Sequence, residues 1–163
     1  MPLSLPPKDK YEVGVISDTH NLMRAEALRA LAGAELIIHA GDIGRPEVLD
    51  ALRAVAPTVI AVRGNNDREP WARAIAETET IEIGEVRLYL LHALQKLALD
   101  PAASGFDVII SGHSHRPSVE RRGGVLYLNP GSAGPRRFKL PVSVARLTVR
   151  GQSCRARIVE LKV

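Results

Sequence analysis

Cysteine is nearly absent from this 163-residue sequence, which contains only Cys154. A single thiol cannot form an internal disulfide, and it excludes the Cys-x-x-Cys pairs of zinc ribbons and redox proteins. This scarcity is typical of the reducing cytoplasm, where we expect the protein to reside. Cys154 falls in an alternating strand pattern, so we interpret it as a buried thiol and not as a nucleophile.

Long hydrophobic runs are also absent. No stretch approaches the roughly 18 apolar residues that a membrane span needs. Residues 1–7 lack both the basic start and the apolar segment of a signal peptide. We therefore predict a flexible N-terminal tail over residues 1–10 and a single domain over residues 11–163. A chain of this size buries roughly two thirds of its unfolded surface.

Several functional signatures are missing. The sequence has no Gly-rich Walker loop and no Gly-x-Ser-x-Gly elbow, so nucleoside triphosphatases and serine hydrolases lack support. Aromatic residues make up only 4%, which disfavours a protein that merely binds nucleic acid by stacking its bases. The net charge of +4 attracts phosphates. Arginines scattered over solvated faces explain it at least as well, so charge alone decides nothing.

Apolar strands and amphipathic helices alternate through the first two thirds of the chain. Gly33 is placed to end the first helix, and Pro46 to begin the second. The last third changes to hairpins. An α/β front and an antiparallel back are therefore expected in one body. The predicted strands span residues 11–16, 36–40, 57–62, 80–83, 86–91, 107–110, 117–122, 125–128, 142–149 and 154–161, and further short helices are expected near 71–76, 93–99 and after Pro101.

Metal-binding side chains recur where strands end, which is where open α/β sheets bind their ligands. Asp18 and His20 are spaced i, i+2, so extended backbone points both to one side. A structural role would explain any one such residue, but packing does not demand His or Asp at five successive strand ends. The candidates are Asp18, His20, Asp42, Asn65, His92, His113 and His115. The remaining histidine, His39, lies within a strand and is interpreted as a core residue hydrogen-bonded to backbone.

Four imidazoles, two carboxylates and one amide exceed the needs of a single tetrahedral ion. They suit two ions such as Mn²⁺, Fe, Co, Ni or Zn²⁺ better than Mg²⁺ or Ca²⁺, which prefer oxygen alone. Two ions about 3.5–4 Å apart need a bridging anion, and Asp42 is the natural bridge. Gly41, Gly64 and Gly112 immediately precede candidate ligands, which predicts tight turns there.

The ordered motifs resemble those of the calcineurin-like metallophosphoesterases, in particular the small prokaryotic phosphodiesterases. The resemblance covers residues 11–162 and implies a four-layer α/β/β/α fold, with two packed mixed β-sheets flanked by helices. The motifs that carry it are Ser17-Asp18-Thr19-His20, Gly41-Asp42, Gly64-Asn65-Asn66-Asp67, His92, Gly112-His113-Ser114-His115 and Asn129-Pro130-Gly131-Ser132.

This resemblance implies a dinuclear phosphodiesterase whose nucleophile is a metal-bridging hydroxide. Manganese is the favoured metal, and the substrate is a small phosphodiester or nucleotide. One ion would be held by Asp18, His20, Asp42 and His115, and the other by Asp42, Asn65, His92 and His113. Of these residues, Asp42, Asn65 and His92 are the candidate catalytic ones.

Two positions depart from the family pattern. Many relatives carry a leaving-group histidine where this chain has Asn66, and Gly is usual where it has Ala93. Asn66 is a candidate substrate-binding residue, but it cannot deliver a proton, so we expect weak turnover of poor leaving groups. Asp67 either orients a ligand, acts as a distant acid, or caps a helix that begins before Glu69 and Pro70.

The basic stretch at residues 136–139 supplies two further candidates for substrate binding. Arg136 and Arg137 either contact a substrate phosphate or belong to a solvated loop. Nucleic acid is expected only as a substrate, no membrane is expected as a partner, and a homo-oligomer is compatible with the sequence. The competing function is that of a scaffold like the retromer subunit, which has this fold but a degenerated metal site. This chain keeps every ligand, which favours the enzyme.

Overall fold

The computed structural model describes residues 3–163, and within them two mixed β-sheets form the body of the protein. The same residues form two α-helices, α1 (Ala25–Leu31) and α2 (Pro46–Arg53). Two 3₁₀ helices, Pro70–Ala74 and Leu94–Lys96, follow later in the chain. The strands are β1 (Leu3–Leu5), β2 (Tyr11–Ile16), β3 (Leu36–His39), β4 (Thr58–Ala61), β5 (Thr78–Ile83), β6 (Val86–Leu91), β7 (Val108–Ile110), β8 (Ser118–Arg122), β9 (Val125–Asn129), β10 (Ser143–Arg150) and β11 (Ser153–Glu160).

Each sheet has a parallel centre. In the five-stranded sheet, ordered β11-β10-β2-β3-β4, strands β2, β3 and β4 run parallel. In the six-stranded sheet, ordered β1-β5-β6-β7-β9-β8, strands β6, β7 and β9 run parallel. The carboxyl ends of parallel neighbours meet at one edge of a sheet, so each sheet collects the residues that follow these strands.

Hydrophobic residues fill both faces of the central strands. Val13 and Val15 of β2 face the core between the sheets, while the next residue, Ile16, faces the helices. Leu31 of α1 and Leu52 of α2 complete that outer cluster. The outer face of the six-stranded sheet is covered by the segment that contains the second 3₁₀ helix. The predicted arrangement of two packed mixed sheets flanked by helices is therefore confirmed.

The helix boundaries follow the expected punctuation. Helix α1 ends just before Gly33, whose φ of +85° is easy only for glycine. Pro46 is the first residue of α2, as predicted, because a missing N–H costs nothing there. The helices expected over 93–99 and after Pro101 are only the 3₁₀ turn Leu94–Lys96 and a run of turns. Local stripes of leucine there serve to cover the sheet instead.

The N-terminal segment differs from its prediction as a flexible tail over residues 1–10. Residues 1 and 2 lie outside the described part of the chain, but Leu3–Leu5 pairs in parallel with β5. Leu3 and Leu5 both pack against the central core, so burial of their side chains stabilises this pairing. No helix in residues 3–163 is long and apolar enough to cross a membrane. Cys154 is buried, as predicted.

Candidate metal centre

The five-stranded sheet positions four of the seven candidate ligands. Asp18 and His20 follow β2, Asp42 follows β3 and Asn65 follows β4. Backbone hydrogen bonds tie the first two turns together, from Asp18 N–H to the Gly41 carbonyl (2.9 Å) and from His20 N–H to the Asp42 carbonyl (3.0 Å). The loops therefore hold Asp18 and Asp42 side by side.

The six-stranded sheet supplies the other three. His92 follows β6, and His113 and His115 follow β7. The N–H of Gly112 donates to the His92 carbonyl (2.9 Å), and the N–H of His113 donates to Asp18 Oδ2 (3.0 Å). The second of these bonds crosses from one sheet to the other, so the two halves of the site meet directly.

One compact group is centred on Asp18. Its Oδ1 lies 3.3 Å from His115 Nε2 and 3.7 Å from His20 Nε2. The two histidine Nε2 atoms are 3.4 Å apart. Three ligand atoms this close are arranged as a metal site requires.

A second group consists of Asp42, His92 and Asp18, which thus belongs to both groups. Asp42 Oδ2 lies 3.3 Å from His92 Nε2 and 3.7 Å from His20 Nε2, so Asp42 also links the two groups. Asn65 Oδ1 and His113 Nδ1 are 3.2 Å apart at the edge of this group, and the rings of His92 and His113 meet edge to face. The structure thus brings together all seven residues singled out in the sequence.

Backbone strain is concentrated at the same residues. Left-handed φ is uncommon outside glycine, and it clusters where function requires a particular side-chain direction. Here the hydrogen bonds between the loops, such as those from Asp18 N–H to the Gly41 carbonyl and from His113 N–H to Asp18 Oδ2, hold these residues in place. Five of the seven candidates have positive φ, namely Asp18 (56°), His20 (46°), Asp42 (57°), His113 (70°) and His115 (63°).

Two glycines allow the loops to approach each other, as the sequence predicted. A Cβ at Gly64 would lie 2.2 Å from the backbone nitrogen of Asp42. A Cβ at Gly112 would lie 2.0 Å from Ser17 Oγ. Any side chain at either position would push the loops apart, and with them the candidate ligands.

Both carboxylates remain ionised in spite of burial. Burial acts to raise the pKa of Asp18, but contacts with His115 and His20 lower it well below its ordinary range. Burial likewise opposes ionisation of Asp42, yet its contact with His92 and a hydrogen bond from the Asn66 backbone lower its pKa. The site therefore presents two negative charges at neutral pH.

The orientation of His92 is set from outside the site. Its Nδ1 lies 2.7 Å from the Ala40 carbonyl, to which it donates a hydrogen bond. Burial acts to lower the pKa of His92, but the neighbouring carboxylates of Asp42 and Asp18 raise it overall. Because the Ala40 carbonyl occupies Nδ1, Nε2 is the ring atom that faces Asp42 and is available to a metal.

Buried polar atoms without partners support a cation at this point. Within residues 3–163, Asp18 Oδ1 and His92 Nε2 have no hydrogen-bond partner although solvent does not reach them. Leaving such atoms unpaired is costly, and both face the centre of the site. A divalent cation would satisfy them, so these residues fit a metal.

Asp67 has a role that the sequence did not reveal. It is buried, and its carboxylate accepts the backbone N–H groups of Gly64 (2.9 Å), Gly44 (3.1 Å) and Ile43 (3.2 Å). It therefore joins the loop of Asp42 to the loop of Asn65. Glu69 occupies the N-cap of the following 3₁₀ helix and makes no side-chain cap, so Asp67 is not a helix cap. The only signal in the sequence was its position three residues after Gly64.

His39 is a supporting residue, and its interpretation as a backbone-bonded core histidine is confirmed. It is fully buried, and its Nδ1 accepts the N–H of Gly41 (3.1 Å). The Thr19 hydroxyl donates to the Ile43 carbonyl (2.8 Å), so it must accept from His39 Nε2 at 3.0 Å. Both ring nitrogens are satisfied in the neutral form. The ring thus braces the turn between Asp18 and His20.

The candidate substrate-binding residues lie apart from one another. Asn66 is exposed, and its side chain donates to Asp42 Oδ2 at 3.2 Å. Arg136 and Arg137 are exposed on the loop that follows Ser132, and within residues 3–163 no side-chain hydrogen bond or ion pair joins them to the candidate ligands. The loop itself is attached beside the site, because Ser132 Oγ donates to the Asp18 carbonyl (3.0 Å).

Comparison with known proteins identifies the family of this chain. A model described as the calcineurin-like phosphoesterase superfamily domain matches residues 11–152. A probable metallophosphoesterase of Methanothermobacter thermautotrophicus is 36% identical over 159 residues, which cover 90% of this chain and 91% of the relative. Phosphodiesterase YfcE of Escherichia coli K12 is 32% identical, over 80% of this chain and 84% of its own length.

Solved structures agree with this. Wild-type Vps29 of Entamoeba histolytica, solved as a complex with Zn²⁺, superposes with a TM-score of 0.70 at 25% identity. The superposition covers 93% of this chain and 99% of that one. The family match and the two relatives named phosphoesterases identify an enzyme class as well as a fold. The chain belongs to the calcineurin-like metallophosphoesterases, in their small prokaryotic branch, and is a hydrolase of phosphoesters.

Proposed function

We propose that this phosphoesterase is a dinuclear, metal-dependent phosphodiesterase. One ion would be held by Asp18, His20, Asp42 and His115, and the second by Asp42, Asn65, His92 and His113. The observation that carries the proposal is the convergence of two ionised carboxylates and three histidine nitrogens around unsatisfied buried atoms. The position of Asp42 between His20 and His92 supports its role as the shared ligand.

The donor set favours metals of intermediate softness. Four imidazoles suit Mn²⁺, Fe, Co, Ni or Zn²⁺, with manganese favoured, and disfavour ions that prefer oxygen alone. When bound, the two ions would supply a shared hydroxide nucleophile and Lewis acidity toward phosphoryl oxygens. The ionised carboxylates of Asp18 and Asp42 would balance the positive charge of these ions.

Each candidate catalytic residue has its own positioning contact. The Asn66 N–H donates to Asp42 Oδ1 (2.9 Å), which leaves Oδ2 facing the histidines. The Ala40 carbonyl orients His92, and His113 Nδ1 lies beside the amide oxygen of Asn65. These groups keep donor atoms aimed at one point, where they would also hold a phosphoryl group in line for attack.

A cavity of about 430 Å³ opens beside the second ligand set and suits one ester group of a small substrate. Asn65, His92 and His113 form its inner wall, while Lys96 lies at its rim. The apolar side chains of Leu91 and Ala93 also line it, so the cavity offers both polar and apolar contacts to a nucleotide or another small phosphodiester. Arg136 and Arg137 would bind phosphate oxygens from the loop on the other side of Asp18.

The second candidate function is a protein-binding scaffold. The observation that favours it is the structural likeness to Vps29. The complete ligand set and the two unsatisfied buried atoms favour the enzyme, because a scaffold does not need them.

The test is metal reconstitution. Metal-stripped protein should hydrolyse bis-p-nitrophenyl phosphate after addition of Mn²⁺, Ni²⁺, Co²⁺ or Zn²⁺, and less well with Mg²⁺. Calorimetry should give two ions bound per chain. Absence of turnover with every metal, together with absence of bound metal by elemental analysis, would leave the scaffold as the function.

A further inference from the structure

The loop of residues 133–141 is closed at its base on the turn of Asp18. Ala133 N–H donates to the Ser17 carbonyl (3.0 Å), and Ser132 Oγ donates to the Asp18 carbonyl (3.0 Å). The returning strand is bound to the same point, since Ser143 N–H donates to the Ser132 carbonyl (3.0 Å). We call residues 133–141 the basic loop.

The basic loop is held close to the metal ligands. A Cβ at Gly134 would lie 2.4 Å from the Asp18 carbonyl oxygen, so the two backbones are in direct contact. The Arg24 guanidinium donates to the Gly134 carbonyl from the other side (3.2 Å). Phe138 follows four residues later, which limits its distance from Gly134 to about 14 Å.

Phe138 is exposed to an unusual extent. Its side chain is 93% accessible, whereas the chain's other phenylalanine, Phe106, is 8% accessible and packs against Tyr89. The φ of Phe138 is +53°, a conformation that is an outlier for a bulky residue. Exposed apolar surface and backbone strain both cost free energy, and the fold gains no packing from either.

Basic residues flank Phe138 in the sequence. Arg136, Arg137 and Lys139 are exposed, and within residues 3–163 none of their side chains makes an ion pair or hydrogen bond. Phe138 is thus an aromatic residue inside a run of basic residues, a pattern that the low aromatic content of the sequence obscured. Cations beside an aromatic face are the elements with which proteins bind single nucleotides.

We propose that the basic loop recognises a nucleotide, with Phe138 stacking on the base while Arg136, Arg137 and Lys139 bind phosphates. The substrate of the enzyme is then a phosphodiester that carries a nucleobase. This inference rests on the proposed phosphodiesterase function, because the loop would present the nucleotide to the ligands beside Asp18. A loop fixed on a metal-ligand turn serves the substrate of that site better than it serves a distant surface.

The experiment compares two diesters with the same leaving group. One is the p-nitrophenyl ester of thymidine 5′-phosphate, and the other is methyl p-nitrophenyl phosphate. Phe138→Ala should lower kcat/KM for the thymidine ester by about tenfold and leave the methyl ester unchanged, since stacking on a base supports a difference of this size. Phe138→Trp, which keeps an aromatic ring, should retain the preference for the thymidine ester. Val119→Ala, at an exposed site on β8, is the matched control and should change neither substrate.

A binding measurement provides a second readout that does not depend on turnover. In metal-stripped protein, Phe138→Ala should weaken binding of thymidine 5′-phosphate about tenfold and leave binding of inorganic phosphate unchanged. Thermal unfolding should not shift, because the ring makes no core contact.

Other outcomes overturn the inference in distinguishable ways. Equal effects of Phe138→Ala on both diesters, or no effect on either, would show that the basic loop does not recognise a nucleotide. The phosphodiesterase function would remain intact. Loss of binding to phosphatidylserine vesicles by Phe138→Ala, with both diesters unchanged, would assign the loop to a membrane surface. If the reconstituted wild type hydrolyses neither diester, the phosphodiesterase function fails first, and the inference fails with it.

Discussion

Asn66 donates two hydrogen bonds to the carboxylate of Asp42, one from its backbone to Oδ1 (2.9 Å) and one from its side chain to Oδ2 (3.2 Å). The residue that stands where many relatives carry a histidine therefore positions a candidate ligand. An amide can hold a carboxylate in this way, but it cannot protonate a leaving group.

Replacing Asn66 with histidine should increase activity toward poor leaving groups. We expect kcat for an alkyl phosphodiester to rise about tenfold or more, because general acid catalysis contributes on the order of 10²–10⁴ when well placed. The rate with p-nitrophenol as the leaving group should change little, since that group needs no proton. Asn66→Gln is the control, and a histidine variant without gain on the alkyl diester would contradict the explanation.

Asp18→Ala should abolish activity without unfolding the protein. The substitution removes a proposed ligand that contacts His20 and His115, and loss of a ligand should cost more than the 10- to 100-fold typical of second-layer residues. Bound metal, measured by elemental analysis, should fall in parallel, while the circular dichroism spectrum stays the same. Asp50→Ala, on the exposed face of α2, is the matched control. Full activity in Asp18→Ala would rule out the proposed ligand set.

Asp67→Ala should destabilise the loops that carry Asp42 and Asn65. Three buried or partly buried N–H groups would lose their acceptor, and we expect the free energy of unfolding to fall by about 3 kcal/mol. Urea denaturation of the metal-free protein measures this. Metal affinity should also fall, because the two loops would no longer be joined. A loss below about 0.5 kcal/mol, which is the range of an ordinary surface substitution, would show that Asp67 does not hold the two loops together.

The stability of the metal-free protein should depend on His39 between pH 4 and 6.5. Burial lowers the pKa of His39 from 6.5 to about 4, so in this interval the unfolded chain binds a proton that the folded chain does not. Stability from this group is complete above pH 6.5 and declines as the pH falls to 4, by about 3 kcal/mol in total. His39→Gln should flatten this slope in urea titrations. An unchanged slope would show that His39 does not titrate as described.

Arg136→Ala and Arg137→Ala should each raise KM about fivefold or more with little change in kcat. Exposed guanidinium groups that bind substrate phosphate contribute on the order of 1–2 kcal/mol when desolvated by the substrate, and they act on binding more than on the chemical step. The effect should weaken at high salt. Arg155→Ala, on β11, provides a comparison of equal charge. Unchanged kinetics in both variants would mean that the loop does not contact substrate.

Much of this architecture was predictable because its signals are local. The run Val13–Ser17 followed by Asp18 indicates a buried strand that ends in a candidate metal ligand, and the same pattern recurs at Asp42 and His113. Such a strand is buried on both faces, so hydrophobicity alone identifies it. Pro46 and Gly33 also act within their own segments, which is why the helix boundaries near them were correct.

The exceptions required partners distant in the chain. Leu3–Leu5 forms a strand because β5 offers it a free edge. The residues around Leu3–Leu5 in the sequence do not themselves indicate a strand. Asp67 looked like a helix cap because two of the N–H groups that donate to its carboxylate, those of Ile43 and Gly44, lie more than twenty residues away. Phe138 is exposed although its apolar aromatic side chain favours burial.

The sequence by itself determined the set of seven candidate ligands and the family, because strand-end motifs are written in consecutive residues. Only the tertiary structure decided that Asp42 stands between His20 and His92, that Asp67 joins two loops, and that the basic loop lies on the Asp18 turn. These relationships join residues that are far apart in the chain, within one sheet or across the two, and such contacts depend on packing over the whole chain.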